Sequence, residues 1–218
     1  MKKILFLLLL TSAFHGHAQY GYRDGNRIGF TGGVTQMSLS TSNFNTRPAL
    51  GWIGGLSVRG NYYNDFSMIF GMQFTESNFL VETISPSFKK EDVQYTLSGV
   101  QVRLLLSYNV VKDHVSLDFG PVLQVNGKLR IDSKSKENII SGTTLTANDI
   151  TDVSKVNGNL YIGISAGNKR LRAIVCYQYG LNNFLNKLNS QSELKVLNNG
   201  DSFKAHIGLL SGQILFNL

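Results

Sequence analysis

Residues 66–75 read Phe66-Ser67-Met68-Ile69-Phe70-Gly71-Met72-Gln73-Phe74-Thr75. Every even position is large and apolar, while the odd positions carry Ser, Gly, Gln and Thr with a single Ile. Character that changes with every residue belongs to a strand with two unlike faces, not to a helix. Three more stretches repeat the pattern. Val100, Val102, Leu104, Leu106 and Tyr108 alternate with Gln101, Arg103, Leu105 and Ser107. Val115, Leu117, Phe119, Pro121, Leu123 and Val125 alternate with Ser116, Asp118, Gly120, Val122, Gln124 and Asn126. Leu171, Ala173, Val175, Tyr177 and Tyr179 alternate with Arg172, Ile174, Cys176, Gln178 and Gly180. The aliphatic and aromatic residues also favour strands intrinsically.

Working outward, the pattern predicts eight strands, at 26–39, 50–62, 66–79, 94–110, 114–131, 156–167, 169–182 and 203–218. Their connections alternate. Tyr63-Asn64-Asp65, Val111-Lys112-Asp113 and Asn168 read as hairpin turns; 40–49, 80–93, 132–155 and 183–202 read as long polar loops. An up-and-down meander puts every tight turn on one side, and closing it removes both exposed edges. The expected fold is all-β, an eight-stranded antiparallel up-and-down barrel.

Alternation does not say which face meets water. A soluble lipid carrier points its apolar face inward; an outer-membrane barrel points it at lipid. Four features select the transmembrane barrel. Strands of ten or more residues suit a tilted bilayer crossing of ~9–11 residues. Long loops stand opposite tight turns, as outer-membrane barrels require. Tyr62, Tyr63, Phe66 and Tyr108 crowd the turn ends as an interfacial girdle would, joined by Phe216. The chain closes on an alternating segment, Ile214-Leu215-Phe216-Asn217-Leu218.

Composition narrows the alternatives. Charged residues are 16% of the chain, against ~25% in an average soluble domain, which argues against disorder. The 22 glycines argue against a helical bundle, and the one cysteine excludes a disulfide framework or multi-cysteine metal site. Lys2 and Lys3 precede an unbroken apolar run, Ile4–Leu10, and small residues stand at Gly16 and Ala18. These are the parts of a secretory signal peptide, and the run is too short to span a bilayer as a helix. The expected organisation is a leader at 1–18, cleaved after Ala18, and a barrel domain at 19–218. Cleavage removes two of the seven net positive charges.

The polar parity gathers Arg59, Gln73, Gln101, Arg103, Asp118, Gln124, Arg172 and Gln178 into the expected lumen. Eight strands enclose a space that side chains fill, so the reading favours a hydrogen-bonded plug over a channel lining. No residue is assigned a catalytic role, and no cofactor or metal is expected. His206 reads as a rim residue without a serine partner on its face, His114 as a solvated turn residue, and Cys176 as an inert packed thiol. Basic residues are scattered, not striped, which argues against nucleic acid. Lys89, Lys90, Lys134 and Lys136, in the long loops, suit the phosphates of outer-leaflet lipopolysaccharide. Segment 132–155 reads either as the most mobile loop or, through Ile139, Ile140, Leu145, Ile150 and Val153, as a small hairpin above the membrane. Pro121, inside the fifth strand, is expected to face lipid and interrupt the ladder.

Over most of its length after the leader, the chain resembles the small outer-membrane β-barrel family of Bacteroidota that includes PorT-like proteins. The resemblance rests on Ile28-Gly29-Phe30-Thr31-Gly32-Gly33-Val34, on Val102–Leu106 followed by Phe119-Gly120-Pro121-Val122-Leu123, on Tyr177-Gln178-Tyr179-Gly180-Leu181, and on the terminal strand. The family usually ends in Phe where this chain has Leu218, with Phe216 two residues earlier. The resemblance implies a fold and a location, not an activity. The expected function is that of a non-enzymatic outer-membrane barrel, structural, adhesive or secretion- and assembly-accessory, whose long loops are the contact surface. A narrow porin-like channel is the alternative, and a soluble periplasmic lipid-binding barrel the third reading. Expected partners are outer-membrane lipid, lipopolysaccharide, the barrel-assembly machinery and another envelope or secretion protein.

Overall fold

Strands of alternating character dominate the computed structural model, which describes residues 26–63 and 65–218. The expected leader at 1–18 and the side chain of Tyr62 lie outside the described residues. The strands are β1 (Arg27–Thr41), β2 (Thr46–Tyr63), β3 (Phe66–Ile84), β4 (Lys90–Val111), β5 (Val115–Asn126), β6 (Ile139–Ile140), β7 (Val156–Gly167), β8 (Leu171–Gly180) and β9 (Ala205–Asn217). Neighbours pair antiparallel in chain order from β1 to β5, then β5 with β7, β7 with β8 and β8 with β9. Pairing of β1 with β9, from Gly29↔Asn217 to Thr41↔Ala205, closes the ring. Eight strands form the up-and-down barrel, and β6 pairs with the far end of β3 at Thr83↔Ile140. A short helix, α1 (Ser192–Leu197), lies in the β8–β9 connection.

Around the turn end, the apolar parity faces outward. Phe66, Phe70 and Phe74 of β3, Leu104 of β4, Leu117 and Leu123 of β5 and Val175 of β8 are exposed, while Ser67, Gln73, Arg103 and Asp118 between them are buried. A soluble carrier would have the opposite arrangement, so the lipid-carrier reading is excluded. Residues 66–74 of β3 span roughly 30 Å of strand path, which a tilt of ~40° lowers to ~23 Å, the height of a bilayer belt.

The strands run well past that belt, β3 for 19 residues and β4 for 22. The expected loops 40–49 and 80–93 are therefore mostly strand, and the true connections are only 42–45 and 85–89. The reason is a change of face. Beyond Phe74 the inward positions become Phe79, Val81, Val93, Tyr95 and Leu97, all buried. The outward ones become Glu76, Asn78, Glu82, Asp92, Gln94 and Thr96. The two-residue period continues while its polarity inverts, and a reading keyed to one apolar parity ends the strand there. The barrel thus has two storeys: a membrane storey, apolar outside and polar inside, and an upper storey built the other way round. The expected fifth strand also stops short of 131, ending at Asn126 and resuming only as a bridge between Arg130 and Thr96.

Pro121 is on the outward face. Pairing of β5 with β4 is missing at Leu104/Pro121 and Leu105/Gly120, although the register on either side, Arg103↔Val122 and Leu106↔Phe119, is unchanged. The ladder to β7 continues through Gly120↔Tyr161 and Pro121↔Leu160. The missing N–H opens the ladder on one side without a bulge. Gly120 permits the close approach, since a Cβ there would stand 2.4 Å from the Leu104 carbonyl oxygen.

Candidate functional site

The membrane storey's lumen is filled by three polar groupings. Lowest is an ionic cluster from β2, β4, β5, β7 and β8. Arg59 donates to Ser107 Oγ at 2.7 Å and reaches Asp118 Oδ1 at 3.5 Å. Ser116 and Ser165, 2.7 Å apart, each accept from both Arg59 and Arg172. Arg172 also donates to the Asp113 carbonyl oxygen at 3.1 Å. Below it, Asp113 of the β4–β5 turn crosses the barrel mouth to Arg27 of β1 at 3.0 Å and faces Lys169 of the β7–β8 turn at 3.6 Å. The hydrogen bond from Arg27, reinforced by Lys169, holds the Asp113 carboxyl below its ordinary range despite some desolvation. Asp113 adopts the left-handed backbone (φ 62°), which Asp tolerates in turns.

Above lies an amide layer. Gln178 donates to Gln101 at 3.1 Å, Gln101 to Gln124 at 3.0 Å, and Gln124 to Asn126 at 2.7 Å. Asn159 donates to Gln124 at 3.1 Å. Gln73 forms a third group, donating to Thr31 and Gln213 at 2.7 Å each. Of the eight lumen residues read from sequence, Gln101, Gln124 and Gln178 meet in one network and Arg59, Asp118 and Arg172 in another. Gln73 joins neither, and Arg103 stands apart over Tyr161, its Cζ 6.0 Å from the ring centroid. Ser107 and Ser116 lie on the polar parity already read from sequence without being singled out, and the same parity rule applied to the remaining strands finds Ser165, Asn159 and Gln213.

The belt is edged by aromatics. Tyr63, Phe66, Tyr108 and Phe216 point outward near the turn end, with Phe66 and Tyr108 rings 5.2 Å apart. A second set, Trp52, Phe74, Tyr177 and Tyr179, marks the opposite edge of the belt and was not read from sequence. Tyr and Trp suit both membrane–water interfaces.

The upper storey is closed by its own core. Met37, Phe79, Tyr95, Ile150, Phe184 and Phe203 belong to one buried apolar cluster inside the barrel wall. Segment 127–155 supplies Leu129, Ile140, Leu145, Ala147, Ile150 and Val153 to it. Within this segment, the bridge between Ile139 and Thr146 gives the expected 132–155 stretch the small hairpin that is one of its two readings. Burial pushes the Tyr95 phenol well above its ordinary pKa. Outside, ion pairs lace the wall, Arg130–Glu76 at 2.6 Å and Arg47–Asp92 at 2.7 Å. A hollow of about 580 Å³ opens among Glu76, Asp92, Gln94, Thr96, Arg130 and Asp132. The exposed β3–β4 tip carries Phe88 beside Lys89 and Lys90.

The remaining candidates sit apart from one another. His206 stacks on Tyr179 at 5.6 Å, with Nδ1 2.9 Å from the Gly180 carbonyl oxygen. His114 is in the β4–β5 turn, its Nδ1 2.9 Å from the Lys112 carbonyl oxygen. Cys176 is buried, Sγ 2.9 Å from Ser211 Oγ.

A closed meander with a lipid-compatible belt, aromatic edges and a polar lumen defines an integral outer-membrane β-barrel. The outer membrane protein beta-barrel domain matches residues 18–186, and the chain belongs to that family. Solved structures similar to it include Neisserial surface protein A, at 11% identity over 89% of this chain and 100% of that one, with TM-score 0.49. Ail, the attachment invasion locus protein of Yersinia pestis, in complex with the heparin analogue sucrose octasulfate, gives 11% identity, 89% and 100% coverage and TM-score 0.49. LpxR from Salmonella typhimurium gives 10% identity, 98% and 96% coverage and TM-score 0.27. No curated protein matches the sequence.

Proposed function

We propose that this protein is a closed, non-enzymatic barrel that works through the polar outer surface of its upper storey, in an adhesive, structural or secretion- and assembly-accessory role. The observation that carries the reading is the inverted upper storey. A wall that places its apolar side chains inside and its charges outside is built like a soluble domain, and it presents a rigid polar surface above the membrane. The filled lumen supports the plug over the porin-like channel: Gln73, Gln101, Arg103 and Gln178 are no more than 2% exposed. The burial of the Cys176 thiol against Ser211, and the backbone bond that occupies His206, support the non-enzymatic assignment.

Kinship with PorT-like proteins of Bacteroidota is supported by the ordered segments that carry the resemblance. Export by a leader cleaved after Ala18 is supported by Lys2 and Lys3 ahead of the apolar run Ile4–Leu10, with small residues at Gly16 and Ala18. Outer-leaflet lipopolysaccharide is the lipid partner we assign to Lys89, Lys90, Lys134 and Lys136, and the barrel-assembly machinery is assigned to β9. Equal lipopolysaccharide binding by wild type and a variant neutral at those four lysines would remove the first assignment. Crosslinking from the native envelope tests the whole. Photo-crosslinkers at Phe88, Gln94 and Lys134 are expected to capture a discrete envelope protein that crosslinkers at the belt residues Phe70 and Val175 do not. Capture of lipid alone at all five positions would overturn the contact-surface role.

A further inference from the structure

Among the described residues, four charged side chains are buried: Arg59, Arg103, Arg172 and Asp118. All four point into the membrane storey's lumen. Three guanidiniums therefore share one carboxylate, and that carboxylate lies beside Arg59. Arg172 is met by the neutral acceptors Ser116, Ser165 and two backbone carbonyls. Arg103 fares worst. It is 2% exposed, and its Nε and Nη1 donate to no acceptor among the described residues. Its register neighbours are Gly71 on β3 and Val122 on β5. The adjacent inward residues Ile69, Leu105, Val122, Tyr161 and Cys176 form an apolar cluster. Gly71 makes room for the side chain, since a Cβ there would stand 2.6 Å from Arg103 Nε. A buried cation is retained only when paired or ligated, because desolvating it costs far more than a distant tyrosine face returns.

We propose that the lumen holds a small inorganic anion of the halide class, bound by Arg103 and offsetting half of the excess positive charge of the Arg59–Arg103–Arg172 set. The charge imbalance and the orphaned guanidinium nitrogens each call for an anion here, whichever partner the upper storey meets. A water molecule satisfies a donor but brings no charge. With the mouth crossed by Arg27–Asp113 and the upper storey filled, the anion is enclosed as the barrel folds, not drawn from a stream of permeating ions.

The test is to refold and crystallise the full barrel with bromide replacing chloride, and to collect data at the bromine edge. The expected result is an anomalous peak inside the lumen in hydrogen-bond contact with Arg103 Nε or Nη1. Arg103→Met is expected to lose the peak, and Arg103→Lys, which keeps the charge, to retain it. Folding of each variant is checked by its heat-modifiable migration. The wild-type map decides even where a variant fails to fold. Water-like density at Arg103 with no anomalous signal overturns the proposal, as does bromide found only on the outer surface.

Discussion

The hydroxyl of Tyr95, on β4, donates to the carbonyl oxygen of Ala147 at 2.7 Å inside the upper storey. One bond thus ties the barrel wall to the longest connection of the chain. Tyr95→Phe keeps the ring, which stacks on Phe79 at 5.3 Å, and orphans a buried carbonyl. The expected cost is ~1–3 kcal/mol. Hydrogen exchange reads it directly: amides of 138–151 are slow in wild type and accelerate in the variant, while the membrane storey is unchanged.

Asp113 locks the opposite end. Its carboxyl pKa is depressed by Arg27 and Lys169, so the stabilisation is present above the unfolded value of ~3.9. It is lost as pH falls through the lower folded value. Asp113→Asn is expected to lower stability by about 0.5–1 kcal/mol at pH 7, the range of a partly exposed pair, and to make no difference at the acid end. Denaturant titrations of the folded barrel at the two pH values check the sign.

Asp118 is the carboxylate on which the lumen's charge balance turns. Asp118→Ala leaves Arg59 buried without its counter-ion and is expected to cost ~3–5 kcal/mol. The double change Arg59→Met with Asp118→Leu is expected to be milder than Asp118→Ala alone, which unfolding of all three forms in the same detergent measures.

Much of the membrane storey was legible because one rule governs it: apolar residues face lipid at every second position. That rule places Phe66–Phe74 and Val100–Tyr108 in strands and turns Arg59, Gln101 and Asp118 inward. It hides the upper storey, where Phe79 and Val81 point inward and Glu76 and Asn78 outward, the same period with the opposite sense. It also gives faces without partners. That Gln178 meets Gln101 across the lumen, or that Asp113 reaches Arg27 across the mouth, depends on which strands stand opposite each other once the ring closes.

Gly120 is a second local feature whose reason lies across the strand gap. Gly120→Ala would press a methyl group toward the Leu104 carbonyl oxygen beside the existing break at Pro121. Overpacking of this kind costs ~1–3 kcal/mol. Chemical unfolding is expected to show that loss for Gly120→Ala and little change for Gly158→Ala, where a Cβ meets nothing within 4 Å.

The central claim is that the barrel is closed and acts at its surface. Conductance of the purified full-length protein in a planar bilayer tests it most directly. The account predicts a silent membrane at every applied voltage, because the ionic cluster, the amide layer and the upper apolar core each fill the path. Discrete, reproducible opening steps from wild-type protein would contradict it.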